Sequence, residues 1–142
     1  MKKYILIISI VLLSLTMLFG NNTAKEKISL EEAFSRGLNY FEGNIVEQDF
    51  EKAADWFALG ADIWDGESML YLALSLLNID EELHLEDAFY WMSLAHYFGT
   101  EDAESLWYEI KELLPWKTVD ALLLEVDQDL LIGGYMIGDW DY

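Results

Sequence analysis

The sequence predicts an all-α protein, an α/α solenoid of about three helical hairpins, and three observations support this prediction. First, its 142 residues include one proline and nine glycines, too few for a β-protein with many turns. Second, apolar side chains such as Leu30, Phe34 and Phe41 recur at helical spacing. Third, segment 50–57 aligns with segment 85–92 at a period of 35 residues, which is typical of stacked helical repeats.

Capping and helix-breaking residues predict where the helices begin and end. Ser29 and Glu32 form a capping box, and Asp49, Thr100 and Thr118 are further candidate caps. The expected stops are Asp65-Gly66, Gly99, Pro115 and Gly133-Gly134. The predicted helices span residues 30–42, 50–63, 67–78, 85–98, 101–114 and 119–131. Short links make neighbouring helices antiparallel, in units of about 30–66, 67–99 and 100–134 within a domain at 25–134.

One predicted helix should lie at the centre of the core. Residues 68–79 carry no charged side chain, and a helix that is apolar nearly all round is normally buried. The stretch is too short to span a membrane, which needs about 20 residues. We therefore expect hairpins to stack on both sides of it.

The N-terminal segment, residues 1–24, predicts export. Lys2-Lys3 precedes an uncharged run at 4–19, which is the order found in secretory signal peptides. No clean cleavage site follows, so a retained anchor in the inner membrane is the alternative. In both cases the basic end stays inside, and the domain lies in the periplasm or extracellular space. Residues 135–142 form a C-terminal tail of no predicted class.

The net charge of the chain limits the classes of partner that it can bind. Twenty-seven acidic residues against eight basic ones give a net charge of −19, which repels nucleic acids and anionic lipids. This charge either attracts a basic partner or serves solubility alone. Cysteine is absent, which excludes disulfides, thiolate nucleophiles and cysteine metal sites.

The first unit carries a motif of small, aromatic and charged residues at fixed spacing. It consists of Gly37, Tyr40, Gly43, Val46, Asp49, Lys52-Ala53 and Trp56-Phe57. In this motif the chain resembles the Sel-one-like repeat family, relatives of the tetratricopeptide repeats, over about residues 30–114. The second unit keeps Ala73, Ala88 and Trp91, while the third is degenerate. The resemblance implies a tetratricopeptide-like superhelix, a concave groove lined by the first helix of each hairpin, and a role in protein interaction.

Two structural expectations accompany the motif. The small residue at position 37 should let the two helices of a hairpin approach closely. Trp56 and Trp91 should fill the gap between successive hairpins, so that replacing either by alanine costs about 3–5 kcal/mol and unfolds the stack.

A polar stripe along the first helix of each unit is the candidate binding surface. Its members align across the units at i, i+4 and i+7. They are Ser35, Asn39 and Glu42, then Tyr71, Ser75 and Asn78, then Ser105, Glu109 and Glu112. Polar groups on an otherwise buried helix must face a polar partner or solvent. The stripe is therefore predicted to face a ligand, and the alternative is a merely solvated face.

The sequence offers little for catalysis. His84, expected in a loop, and His96, expected on a helix, lack the spacing of metal ligands. No nucleophile elbow and no phosphate-binding loop occur. The acidic clusters are interpreted as solvated charge, although weak binding of a divalent cation is left open. We expect no catalytic residues, no metal and no cofactor.

These observations predict an exported, monomeric adaptor or scaffold that binds a protein or peptide and is not an enzyme. A basic ligand would fit its charge, and the membrane is involved only if the N-terminal segment is retained. The alternative is an acidic inhibitor or decoy of a basic partner. A hydrolase is a third reading, since the resemblance extends to cysteine-rich relatives linked to β-lactam hydrolysis, but this chain lacks their cysteines.

Overall fold

The computed structural model describes residues 28–135, and its regular structure there is entirely helical. The six helices are α1 Leu30–Glu42, α2 Phe50–Ala61, α3 Gly66–Ile79, α4 Glu81–Tyr97, α5 Ala103–Leu113 and α6 Trp116–Ile132. The all-α prediction is thereby confirmed. The N-terminal segment 1–24 and tail residues 136–142 lie outside the described residues. Within the described part, none of the helices has both the length and the apolar character needed to cross a membrane.

The first four helices pack in chain order, each against the next, and α3 is the central one. Its side chains Met69, Leu72 and Ala73 are buried between α2 and α4. The prediction of a core helix from the charge-free stretch is confirmed. The buried apolar residues of α2 to α6 form one continuous core around this helix.

Glycines allow two of the helix contacts to be close. A Cβ atom on Gly37 of α1 would lie 2.6 Å from the Phe57 ring of α2. A Cβ atom on Gly60 of α2 would lie 2.1 Å from Ser68 Oγ of α3. Both distances are far below van der Waals contact. The spacing of α1 from α2 and of α2 from α3 therefore depends on glycine, which has no side chain, at these positions.

Acidic and hydroxyl side chains begin the first four helices. Ser29 Oγ accepts the Glu32 backbone N–H, as expected for a capping residue. Asp49 accepts the Lys52 backbone N–H and a 2.6 Å bond from Lys52 Nζ, and these two bonds hold the pKa of Asp49 below its ordinary value. Asp65 and Asp80 cap α3 and α4 in the same way.

Three predicted helix starts are wrong. Because Asp80 already acts as a cap, α4 begins four residues early and His84 lies inside it instead of in a loop. Thr100 does not cap α5, which begins after Asp102, a residue in the left-handed conformation with φ 66°. Thr118 lies within α6, because Pro115, with φ −60° and no N–H to satisfy, precedes the first turn.

The last two helices depart from a third regular hairpin. Both α5 and α6 pack against α4, whereas their backbones scarcely approach each other along their lengths. The last two helices therefore do not form a hairpin like the first two pairs, because both pack on α4.

Trp56 does not fill the gap between successive hairpins as expected, whereas Trp91 packs against the core. Both indoles are only half-buried, and the Arg36 guanidinium lies 4.8 Å from the centre of the Trp56 ring. The buried face of α2 runs through Ala53 and Phe57 instead, one position away from Trp56. A single step along a helix rotates a side chain by about 100°, which places Phe57 in the core and Trp56 at its margin.

Candidate functional site

A cleft of about 240 Å³ opens between α1, the first turn of α3 and the turn that joins α4 to α5. Its lining consists of Phe34, Glu67, Leu70, Tyr71, Thr100, Glu101 and Asp102. We call it the Tyr71 cleft. Its lining combines two aromatic rings and a leucine with three carboxylates, so apolar and negatively charged surfaces lie side by side.

The packing of α1 and α2 against α3 fixes the aromatic part of the cleft. The Tyr71 ring centre lies 5.5 Å from that of Phe34, 5.4 Å from Phe41 and 5.2 Å from Phe57. The contacts with Phe34 and Phe41 are edge-to-face, an arrangement that stabilises aromatic clusters beyond their burial. Tyr71 is half-buried, so its ring is held in place while part of it remains accessible.

The acidic part of the cleft comes from two neighbouring segments. Glu67 lies in the first turn of α3, and Glu101 and Asp102 lie in the α4–α5 turn; all three are exposed. The segments meet at Gly66, where a Cβ atom would lie 2.4 Å from Thr100 Oγ1. Within residues 28–135, none of the three carboxylates forms an ion pair.

The structure separates the nine residues of the predicted stripe, and Tyr71 alone among them lines the cleft. On α1, Ser35 and Glu42 are exposed and Asn39 is half-buried; on α5, Ser105, Glu109 and Glu112 are exposed. Ser105 Oγ donates to the Asp102 carbonyl at 3.1 Å, and the Asn44 amide donates to the Glu42 carboxylate.

The side chains of the two remaining stripe residues form hydrogen bonds within α3 itself. Ser75 is 0% exposed, and its Oγ donates to the Tyr71 carbonyl at 2.7 Å. Asn78 is exposed, and its Nδ2 donates to the Leu74 carbonyl at 2.7 Å. Ser75 is therefore a correction to the predicted surface: a serine inside a helix can bond to the preceding turn and needs no external partner.

Most residues of the cleft were missed by the sequence analysis. Phe34 belongs to the periodic apolar face of α1, a pattern that also describes core residues. Glu67 lies in an acidic cluster interpreted as solvated charge. Glu101 and Asp102 join the site only because α5 begins later than predicted, so no local pattern could have indicated them.

The histidines make structural contacts. His84 Nδ1 lies 3.8 Å from Asp87 Oδ2, and the His96 ring stacks on Trp107 at 5.3 Å between ring centres. In the described part of the chain, no three His, Cys, Asp or Glu side chains are grouped closely enough to hold a metal ion.

No family model, curated protein or solved structure matches this chain. The resemblance to Sel-one-like repeats stays a prediction, and the argument for function depends on the residues of the cleft.

Proposed function

We propose that this protein is a binding module, an exported adaptor or scaffold that holds a protein or peptide in the Tyr71 cleft. One observation carries the proposal: an aromatic surface lies directly beside three exposed carboxylates that have no cation partner in the described chain. Export through residues 1–24 and a tetratricopeptide-like stacking of the helices belong to the same proposal.

The apolar part of the cleft favours an anchoring side chain. Binding energy at protein interfaces is concentrated on a few aromatic or aliphatic anchors that fill preformed pockets. Phe34, Leu70 and Tyr71 provide such a surface, and their positions are fixed by packing before any ligand arrives. A ligand with one bulky apolar residue would gain most from this arrangement.

The acidic part favours a basic residue next to that anchor. Glu67, Glu101 and Asp102 offer three negative charges to one ligand, and the net charge of −19 would draw a basic ligand toward the surface. Electrostatic attraction of this kind raises the association rate and selects the partner more than it raises affinity. The ligand class is therefore a peptide segment that combines lysine or arginine with a bulky apolar residue.

Selection from a random peptide library would test the proposal. Peptides enriched on the purified chain should pair a basic residue with an aromatic or aliphatic one, and Tyr71→Ala, at a half-buried residue of the cleft, should abolish the enrichment. Tyr40→Ala, at a half-buried tyrosine on α1 outside the cleft, is the matched control and should retain it, and circular dichroism checks that both variants are folded. Enrichment that Tyr71→Ala leaves unchanged would place binding elsewhere.

A second candidate function is an acidic decoy or inhibitor of a basic protein. The observation that favours it is the spread of exposed carboxylates over every helix of the described chain. A decoy would bind by charge alone, so its affinity would fall steeply with salt and would not respond to Tyr71→Ala, which leaves the charge unchanged. An anchored peptide would retain much of its affinity at high salt.

A further inference from the structure

A second cleft, of about 210 Å³, is formed by the end of α2, the α2–α3 link, α4 and α6. It shares no lining residue with the Tyr71 cleft. Asp62, Trp64, Tyr90, Trp91, Asp129 and Ile132 are the lining residues that matter here. We call it the Trp91 cleft. We propose that it binds one cationic side chain, an arginine or lysine presented by a partner protein.

Asp129 is held in position by a neighbouring tyrosine. The Tyr90 hydroxyl donates to Asp129 Oδ2 at 2.6 Å, across from α4 to α6. Burial and then this hydrogen bond raise the pKa of Tyr90, so the hydroxyl keeps its proton and remains a donor. One carboxylate oxygen of Asp129 is thus used for positioning. The other, Oδ1, has no hydrogen-bond partner within residues 28–135.

Trp64 forms a rigid aromatic wall. Its backbone has φ 66°, a conformation that a bulky residue adopts only when its surroundings enforce it. The surroundings are visible: the Tyr135 ring lies 5.2 Å and the Phe98 ring 6.1 Å from the Trp64 ring. Gly133 approaches from α6, where a Cβ atom would lie 2.8 Å from Trp64 Cζ2. These contacts hold the indole in place at the wall of the cleft.

The two carboxylates of the cleft lack a positive partner. Among the described residues, the ion pairs Arg36–Glu32 and Lys52–Asp49 and the His84–Asp87 contact do not involve Asp62 or Asp129. Two negative charges that share a partly apolar cleft repel each other, and a bound cation removes that repulsion.

The aromatic walls determine which cation fits. Lysine and arginine bind on tryptophan rings by cation–π attraction while their stems cover apolar surface. The cleft offers both kinds of surface, since Trp64 and Trp91 line it together with Ile132. A metal ion would use neither the indoles nor the apolar wall, and it prefers several oxygen ligands.

The tail of the same chain is the competing occupant, because it begins beside the cleft. Tyr135 contacts Trp64, and residues 136–142 follow it. Those residues include Asp139 and Asp141 and no lysine or arginine. Negative side chains would be repelled by Asp62 and Asp129, so charge complementarity favours a basic side chain from another protein.

The test uses the full chain and two short capped peptides that are alike except for one residue. One peptide carries arginine, and the other carries citrulline, which has nearly the same shape and no charge. Binding is followed through the indole N–H resonances of Trp64 and Trp91 in heteronuclear NMR spectra. We expect the arginine peptide to shift both resonances in a saturable way and the citrulline peptide to leave them unchanged.

Substitutions test whether the resonance shifts arise from binding in the Trp91 cleft. Asp62→Asn and Asp129→Asn should each weaken binding about fivefold, since each removes one charge of a partly exposed pair. Glu86→Gln, at an exposed residue of α4 outside both clefts, is the matched control and should bind as the unmodified chain does. Equal shifts from both peptides, or unchanged binding in the Asp62→Asn/Asp129→Asn double variant, would overturn the proposal.

Occupation of the Trp91 cleft by the C-terminal tail would give a different NMR result. If Trp140→Ala shifts the Trp64 and Trp91 resonances without any peptide, and no arginine peptide binds, the tail fills the cleft and the proposal is wrong. Circular dichroism of each variant checks that the helices remain intact. Failure of the Tyr71 cleft to bind peptides would leave this result unaffected, because the two clefts are read out separately.

Discussion

Trp107 and Ser93 form a hydrogen bond in the core of the protein. Trp107 Nε1 donates to Ser93 Oγ at 2.8 Å, and both side chains are almost completely buried, at 1% and 0% exposure. Ser93 in turn donates to the Phe89 carbonyl at 2.7 Å, so its hydroxyl serves as acceptor and donor at once. The bond joins α4 to α5 at the point where the helical order becomes irregular.

Removing the acceptor should destabilise the fold. Ser93→Ala takes away the Ser93 oxygen and leaves the Trp107 N–H buried without it, a change that costs about 1–3 kcal/mol in the free energy of unfolding. Chemical denaturation followed by circular dichroism measures this cost. Trp107→Phe combined with Ser93→Ala should cost less than the sum of the single changes, because both act on one bond. Additive costs would show that the bond contributes nothing.

The tryptophans should differ sharply in their contribution to stability. Trp107→Ala removes a buried ring that stacks between Phe89 and His96, and it should cost about 3–5 kcal/mol. Trp56→Ala removes a half-buried ring at the margin of α2, and we expect about 1 kcal/mol. Denaturation of the two variants side by side gives the comparison. Equal costs would mean that Trp56 belongs to the core after all.

A methyl group at position 60 should disturb the contact of α2 with α3. Gly60→Ala places Cβ 2.1 Å from Ser68 Oγ and 2.6 Å from Ser68 Cβ, and overpacking of this kind should cost about 3 kcal/mol. Adding Ser68→Gly relieves both clashes and should recover part of the stability. A thermal melt of the single and double variants measures the effect, and a double variant less stable than Gly60→Ala would argue against close packing as its cause.

Tyr90 should make stability fall at alkaline pH. Burial, and then the bond to Asp129, raise the pKa of Tyr90 in the folded state, while an unfolded tyrosine ionises near pH 10. Below pH 10, Tyr90 is protonated in both states and its contribution to stability is fully present. Above it the unfolded chain holds fewer protons than the folded one, so stability declines as pH rises toward the folded pKa. The Tyr90→Phe variant lacks this pH-dependent loss of stability.

Denaturation at pH 8 and at pH 11 compares the two proteins. Tyr90→Phe should be the less stable at pH 8, where the hydrogen bond is intact, and the difference should shrink at pH 11. A constant difference would show that Tyr90 does not titrate differently in the folded state.

Local signals predicted the first half of the fold well. Ser29 and Asp49 act as caps where the sequence indicates them, and Gly43 ends α1 with φ 71°. Such signals involve residues three or four positions apart, and tertiary packing need not intervene. The same kind of signal gave wrong helix starts at Thr100 and Thr118. The residues that directly precede α5 and α6 are Asp102 and Pro115 instead.

The site was less predictable, because spacing alone does not reveal what a side chain contacts. Ser75 fits the polar stripe by spacing, yet its hydroxyl bonds within its own helix. Trp56 fits a repeat motif, yet Phe57 occupies the core. The Tyr71 cleft joins three separate segments, and which acidic residues reach it depends on where α5 begins.

The most direct test of the Tyr71 cleft exchanges its charges for neutral side chains of similar size. Glu67→Gln, Glu101→Gln and Asp102→Asn together remove three charges from the cleft. Glu81→Gln, Glu82→Gln and Glu86→Gln together remove three exposed charges from the opposite end of α4. Both triple variants change the net charge equally, so only the position of the charges differs.

Fluorescence anisotropy with one labelled peptide from the library selection gives the affinity of each protein. We predict that the cleft variant binds at least about tenfold more weakly than the unmodified chain, a loss of about 1.4 kcal/mol, while the α4 variant binds within twofold of it. Equal weakening in both triple variants would contradict the account, because it would mean that net charge, and not the cleft, holds the ligand.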